Sequence, residues 1–272
     1  MARPTQRART LSQNFLADRA TAELPQSRMR STGGTPTARL AAPDRRHPPL
    51  LLEVGAGNGA LTEPLARRSR ELHAYEIDPR LVPGLRARFA STPHVHVVAG
   101  DFLAARPPRT PFSVAGNVPF SRTADIVDWC LSAPGLTEAT LLTQLEYARK
   151  RTGDYGRWSL LTVLTWPCHE WRLLGRVGRH RFRPAPRVDA GILRIQRRPA
   201  PLLTGTGPRR TWSDLVGLGF SGVGGSLHAS LRRAHSRRRV DAAFRAARLD
   251  PGVLVGEVAP DRWLRLHEEL TA

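Results

Sequence analysis

Leu50-Leu51-Leu52-Glu53-Val54-Gly55-Ala56-Gly57-Asn58-Gly59 decides the fold. Leu50–Val54 is a short apolar run interrupted by one carboxylate, too short for a typical globular helix and suited to a buried parallel strand. Gly55, Gly57 and Gly59 then crowd a turn, where the missing Cβ lets backbone approach a ligand. Ala60–Arg70 carries Leu61 and Leu65 four apart, which predicts a helix starting at the turn. Strand, glycine turn and helix together make a nucleotide-type cofactor site.

Working outward, strand-like runs recur at Leu72–Ile77, His94–Val98, Phe112–Ala115, Ala139–Thr143, Leu160–Trp166, Trp171–Leu174 and Asp189–Gln196. Helical spacing lies between them at Arg80–Phe89 and Asp125–Cys130. This alternation predicts an α/β fold with a doubly wound, mainly parallel sheet. Ligands of such sheets gather at the C-terminal strand ends, and Glu53, Glu76, Asp101 and Asn117 fall there. After about Arg198, Pro199–Pro201 and Gly205–Pro208 read as a linker. Trp212–His235, Val240–Arg248 and Arg262–Leu270 then predict a small all-α C-terminal domain. Upstream, Arg28–Pro49 combines Gly33-Gly34, Pro36, Pro43 and Pro48-Pro49 with arginines, the mark of an irregular basic linker. The expected divisions are 1–49, a basic N-terminal extension and linker; 50–198, a cofactor-binding domain; and 199–272, a helical nucleic-acid-binding domain.

The formal charge is +19, from 42 Lys and Arg against 23 Asp and Glu. Lys150 is the only lysine, as a GC-rich coding bias would produce, but such a bias does not account for the excess of positive charge. Charge of this size implies a polyanionic partner. Cys130 and Cys168 sit in apolar surroundings without ligand spacing and read as reduced core residues. The nine histidines are scattered, so no metal site is expected. No signal peptide and no long apolar run stands out, which predicts a cytoplasmic protein with no membrane partner.

Two cofactor classes compete for the glycine turn. A dinucleotide fingerprint needs G-x-G-x-x-G with an acid about 20 residues on. Here Ala60 takes the third glycine place, and Glu76 would hold ribose hydroxyls of either cofactor. The E-x-G-x-G-x-G form, with Glu53 inside it, favours S-adenosylmethionine (SAM), whose ammonium and sulfonium suit acidic neighbours. Asp101 is placed to accept from an adenine amine, or else caps the next segment. Asn117-Val118-Pro119-Phe120 suits methylation of a planar exocyclic amine. Acceptors on Asn117 and a nearby backbone carbonyl can localise the amine lone pair, Pro119 fixes the turn, and Phe120 can stack on a flipped base. The alternative is an ordinary strand-end turn with Phe120 in the core.

With these motifs in place, the chain resembles the rRNA adenine N6-methyltransferases, and within them the Erm branch of actinobacterial type. The resemblance rests on Ser12–Leu16, Glu53–Gly59, Tyr75–Asp78, Gly100–Phe102, Asn117–Phe120, Glu146–Gly153, Tyr155–Ser159 and Phe182–Asp189. It implies methyl transfer from SAM to one adenine in the peptidyl-transferase region of 23S rRNA, blocking macrolides and related drugs. It also implies cofactor contacts by Gln13, Asn14, Leu16, Glu53, Gly55, Ala56, Gly57, Glu76, Ile77, Gly100, Asp101, Phe102 and Asn117, and target handling by Asn117–Phe120. The family works as monomers on protein-poor rRNA, which suggests a monomer acting before full ribosome assembly. The small-subunit (16S) rRNA dimethyltransferases, and non-catalytic RNA-binding relatives, are the alternatives. The Ser12–Glu53 spacing exceeds the family's usual length, the extra residues falling in the linker.

Arginines interleaved with aromatics suit phosphate contact and stacking. Arg172, Arg176, Arg179, Arg181, Arg183 and Arg187, with Trp171 and Phe182 among them, form one expected RNA patch. Arg149, Lys150, Arg151 and Arg157 form the other.

Overall fold

The computed structural model describes residues 15–16, 50–222 and 225–272. Gln13, Asn14 and the linker at 28–49 lie outside them. The strands are β1 (Phe15–Leu16), β2 (Leu50–Val54), β3 (Glu71–Glu76), β4 (Val95–Ala99), β5 (Phe112–Asn117), β6 (Leu136–Gln144), β7 (His169–Val177), β8 (Phe182–Arg183) and β9 (Ala190–Arg197). The α-helices are α1 (Thr62–Ala66), α2 (Val82–Arg88), α3 (Thr123–Ser132), α4 (Leu145–Thr152), α5 (Leu160–Thr165), α6 (Thr206–Phe220), α7 (Leu227–Leu231), α8 (Arg237–Ala247) and α9 (Pro260–Thr271). The main sheet has seven strands in the order β4-β3-β2-β5-β6-β9-β7, and β1 pairs antiparallel with β8. β4, β3, β2, β5 and β6 run parallel, as a Rossmann-like sheet requires.

By internal contacts the described residues fall into two compact units. The first runs up to Glu146 and adds Leu173–Ile195; the second is Tyr147–Arg172 with Gln196–Ala272. In this division Tyr147–Arg172 groups with the helical tail. Leu160–Trp166, expected as a strand, is largely helix α5. Ser159 caps it by accepting the Thr162 N–H, and Thr165 Oγ1 donates back to the Leu161 carbonyl at 2.7 Å.

The core of the first unit joins Leu65, Leu72, Ala74, Leu85 and Ala115 to Leu142, Phe182 and Ile192. The helical unit buries Trp212, Leu215, Leu227, Leu231, Val240, Phe244, Trp263 and Leu266, with Val163 from α5. Its helices follow amphipathic spacing: Val240, Ala243, Phe244 and Ala247 make one buried face of α8. Gly219 lets α6 pass Trp263 of α9, since a Cβ there would stand 2.3 Å from the indole ring.

Candidate active site

β2 hydrogen-bonds to β3 on one side and β5 on the other, so the chain winds away from it in both directions. In an open α/β sheet that reversal opens a crevice at the C-terminal strand ends. The register sets Val54 opposite Gly116, so Gly55 and Asn117 leave adjacent strand ends together. Gly55 has φ +71°, and a Cβ on it would lie 3.6 Å from the Asn117 carbonyl oxygen. At Gly116 the space is closed: a Cβ would meet the Val54 carbonyl oxygen at 2.5 Å.

The glycine turn is tied down by β3. The Gly55 and Ala56 amides both donate to the Tyr75 carbonyl, at 3.0 and 2.9 Å. Glu76 is buried; its Oε2 accepts the Gly57 amide at 2.6 Å and its Oε1 accepts the Asp78 amide at 2.7 Å. Asp78 is held by the Arg80 guanidinium and amide, which bring its carboxyl down to about 2. Between Glu76 and Asp78, the Ile77 side chain is exposed.

Glu53 is fully buried in β2, and neither carboxyl oxygen finds a hydrogen-bond partner among the described residues. Burial pushes its carboxyl up to about 8; the Thr62 hydroxyl works against the rise, and the Glu76 charge adds to it. Thr62, at the start of α1, is also buried and was not singled out from the sequence. Its place in the first turn after the glycines was the available signal.

Gly100, with φ +149°, donates its amide to the Glu76 carbonyl at 2.9 Å, which brings the end of β4 beside β3. Asp101 Oδ1 accepts the Leu103 amide at 2.9 Å and caps a 3-10 turn, so the capping alternative describes this oxygen. The hydrogen bonds of the described residues leave Oδ2 open. Phe102 is buried between Tyr75 and Trp129, with ring centroids 5.4 and 4.4 Å away. Trp129 donates its indole N–H to the Ala105 carbonyl at 3.0 Å.

Asn117 ends β5 half-buried. Val118 is buried and its amide donates to the Leu142 carbonyl at 3.2 Å, fixing the departure of the chain from the sheet. Pro119 (φ −56°, ψ 126°) turns the backbone, and its carbonyl accepts the Arg122 amide at 2.9 Å. Phe120 is partly buried against the core of the first unit, and its carbonyl accepts from Thr123 Oγ1 at 3.2 Å. Of the N-terminal cofactor residues, Leu16 lies in the described residues, and its backbone pairs β1 with β8 opposite Phe182.

Of the residues expected to contact RNA, Lys150, Arg157, Arg179, Arg183 and Arg187 are exposed, and Arg149 and Arg181 partly so. Arg151 is not displayed in the same way. Its guanidinium lies 4.8 Å from the Tyr147 ring centroid, and Nη1 donates to Ser159 Oγ at 2.9 Å. Trp171 and Phe182, expected to stack on RNA, are buried at 4% and 0% exposure and belong to the interior. Alternation along the strands turns them inward and Arg172 and Arg183 outward. Asp189 engages Arg176 Nε at 2.8 Å and the Arg179 amide at 2.9 Å, so it orders part of the first patch.

Cys130 is buried and burial raises its thiol, making it inert; Cys168 is half-buried. Glu71, His73 and His96 form the one group of metal-capable side chains among the described residues, with donor atoms within 4.8 Å of one another. No helix among the described residues is long and apolar enough to cross a membrane.

The site offers a backbone turn open to close approach, a buried carboxyl with unmatched oxygens and a second carboxylate gripping the turn. These suit a cofactor that carries both positive charge and ribose hydroxyls, as SAM does.

Comparison with known proteins agrees. Residues 6–272 match the family described as ribosomal RNA adenine dimethylase. An rRNA adenine N-6-methyltransferase of Streptomyces fradiae is 61% identical over 96% of this chain and 78% of its own length. The crystal structure of the 23S rRNA methyltransferase ErmE superposes with a TM-score of 0.84 at 48% identity, over 87% of this chain and 97% of that one. A ribosomal RNA small subunit methyltransferase A from a Synechococcus strain is 33% identical over 84% of each chain. The chain belongs to the ribosomal RNA adenine dimethylase family, as a SAM-dependent rRNA adenine N6-methyltransferase of the Erm branch.

Proposed function

We propose that the protein methylates N6 of one adenine in the peptidyl-transferase region of 23S rRNA, and so confers resistance to macrolides and related drugs. The observation that carries this reading is the junction of Gly55 and Asn117 at the switch point of the sheet, where the glycine turn meets Asn117-Val118-Pro119-Phe120. The large-subunit target is favoured over the small-subunit one by the 48% identity to ErmE, against 33% to the small-subunit enzyme.

When bound, SAM supplies an electrophilic methyl group. Glu53, Gly55, Ala56 and Gly57 hold its methionine end, Glu76 its ribose, and Ile77, Gly100, Asp101 and Phe102 border its adenine. Gln13, Asn14 and Leu16 close the pocket in this reading. Asn117 and a neighbouring backbone carbonyl accept the two N–H bonds of the target amine. That localises its lone pair as the nitrogen becomes tetrahedral, without a strong base. Phe120 stacks on the flipped adenine, while Val118 and Pro119 keep the backbone in place. Arg149, Lys150, Arg157, Arg179, Arg181, Arg183 and Arg187 hold the phosphates, and Arg151 supports them from within. The enzyme works in the cytoplasm as a monomer, on rRNA not yet fully assembled.

Radiolabelled SAM incubated with deproteinised 23S and 16S rRNA tests the reading. Label is expected on 23S rRNA at a single adenine. Incorporation into 16S rRNA alone would assign the chain to the small-subunit activity.

A further inference from the structure

Tyr155 is the only aromatic among the large apolar side chains left exposed in the described residues, with 52% of its surface accessible. It lies in the turn between α4 and α5, within the helical unit. One face of the ring is covered by Arg149, whose guanidinium carbon stands 3.9 Å from the ring centroid. Arg149 is itself held by an ion pair with Asp154.

The turn around Tyr155 is shaped by two glycines. Gly153 and Gly156 take φ +69° and +67°, and the Gly156 amide donates to the Gly153 carbonyl at 2.9 Å. A Cβ on Gly153 would enter the Trp158 indole, 2.4 Å from a ring carbon, so the turn is pressed onto that side chain. Trp158 packs edge-on against Trp166, and its amide donates to the Gly256 carbonyl at 2.6 Å. An exposed aromatic ring on a pinned turn, with a cation fixed on one face, is pre-organised for a second flat partner on the other.

The charges near the ring in the chain select the partner. Lys150 and Arg157, five residues before Tyr155 and two after it, are exposed, while Asp154 and Glu257 are each paired with an arginine. A flat, uncharged ring carried on a polyanion answers both features, and an unpaired nucleotide is that ligand. We propose that Tyr155 is a stacking platform for an unpaired base of the rRNA substrate other than the target adenine, held in register by Arg149 while Lys150 and Arg157 meet the adjoining phosphates. The proposal rests on the rRNA reading above. It adds a positioning residue that acts through base stacking.

The test uses the full-length protein and two RNA probes: a 23S rRNA hairpin transcript carrying the target adenine in an unpaired segment, and a fully paired duplex of similar length. Tyr155→Ala is expected to raise the Kd for the hairpin about 5- to 100-fold. Duplex binding, SAM affinity and the slope of affinity against salt are expected to stay as in the wild type, because stacking releases no counterions. Tyr155→Phe and Tyr155→Trp should bind the hairpin within about threefold of wild type. Hairpin binding by Tyr155→Ala within twofold of wild type would overturn the proposal, as would equal losses with Ala, Phe and Trp. Wild-type protein that binds neither probe would count against the rRNA reading itself, a result separable from any effect at Tyr155.

Discussion

The Asn117 carbonyl oxygen stands 3.6 Å from the position a Cβ would take on Gly55. That is ordinary van der Waals contact, so a methyl group fits the space. What it does not fit is the backbone, because φ at Gly55 is +71°. Gly55→Ala should therefore fold but lose about 1–2 kcal/mol of stability, and bind SAM more weakly as the turn flattens. Gly116→Ala meets the Val54 carbonyl at 2.5 Å and should be the more destabilised of the two. Urea melts and calorimetric SAM titration of both variants measure the difference.

At Asn117 the expected loss is in chemistry. Asn117→Ala removes an acceptor for the target amine and should lower kcat about 10²–10³-fold. Phe120→Ala should weaken the productive RNA complex, and Phe120→Trp should retain most of it. Single-turnover methylation with saturating SAM separates these effects from cofactor binding.

Glu53 gives a pH dependence of defined sign. Its folded carboxyl sits near 8, above its unfolded value, because burial disfavours the charge. The folded state thus binds the proton more tightly. The resulting stabilisation is complete below the unfolded carboxyl range and is lost as pH rises toward and through about 8. The cofactor-free protein should lose thermal stability between pH 6 and pH 9, and Glu53→Gln should flatten that decline. Parallel declines in the two proteins would show that Glu53 does not titrate in this range.

The basic residues of α4 should separate by role. Lys150 is exposed, so Lys150→Ala should weaken rRNA binding and reduce the salt slope by about 1. Arg151 turns inward to Tyr147 and Ser159. Arg151→Ala should instead lower the melting temperature by a few degrees, with little change in salt slope. RNA titrations at several salt concentrations, with thermal melts, check both.

The sequence was most readable where the backbone itself dictated residue type. Gly55, Gly57 and Gly59 all take positive φ, a demand that only glycine meets readily, and the turn they announce is present. The polar strand ends at Glu53, Glu76 and Asn117 are where the alternation of strands and helices placed them. Leu160–Trp166 was not readable in this way, because a six-residue run of Leu, Thr and Val suits strand and buried helix alike. The Ser159 cap and Pro167 were the signals that could have decided it. Trp171 and Phe182 were misassigned by counting neighbours along the chain, whereas strand alternation sends an aromatic inward and the next arginine outward. The inward turn of Arg151 depends on Tyr147 and Ser159, a local packing choice that composition does not reveal.

Mass spectrometry of large-subunit rRNA, from a susceptible bacterium expressing this chain, tests the central claim most directly. One or two added methyl groups on the N6 of a single peptidyl-transferase adenine, absent with Asn117→Ala, is the predicted result. An unmodified large subunit, with new methylation confined to small-subunit rRNA or found nowhere, would contradict it.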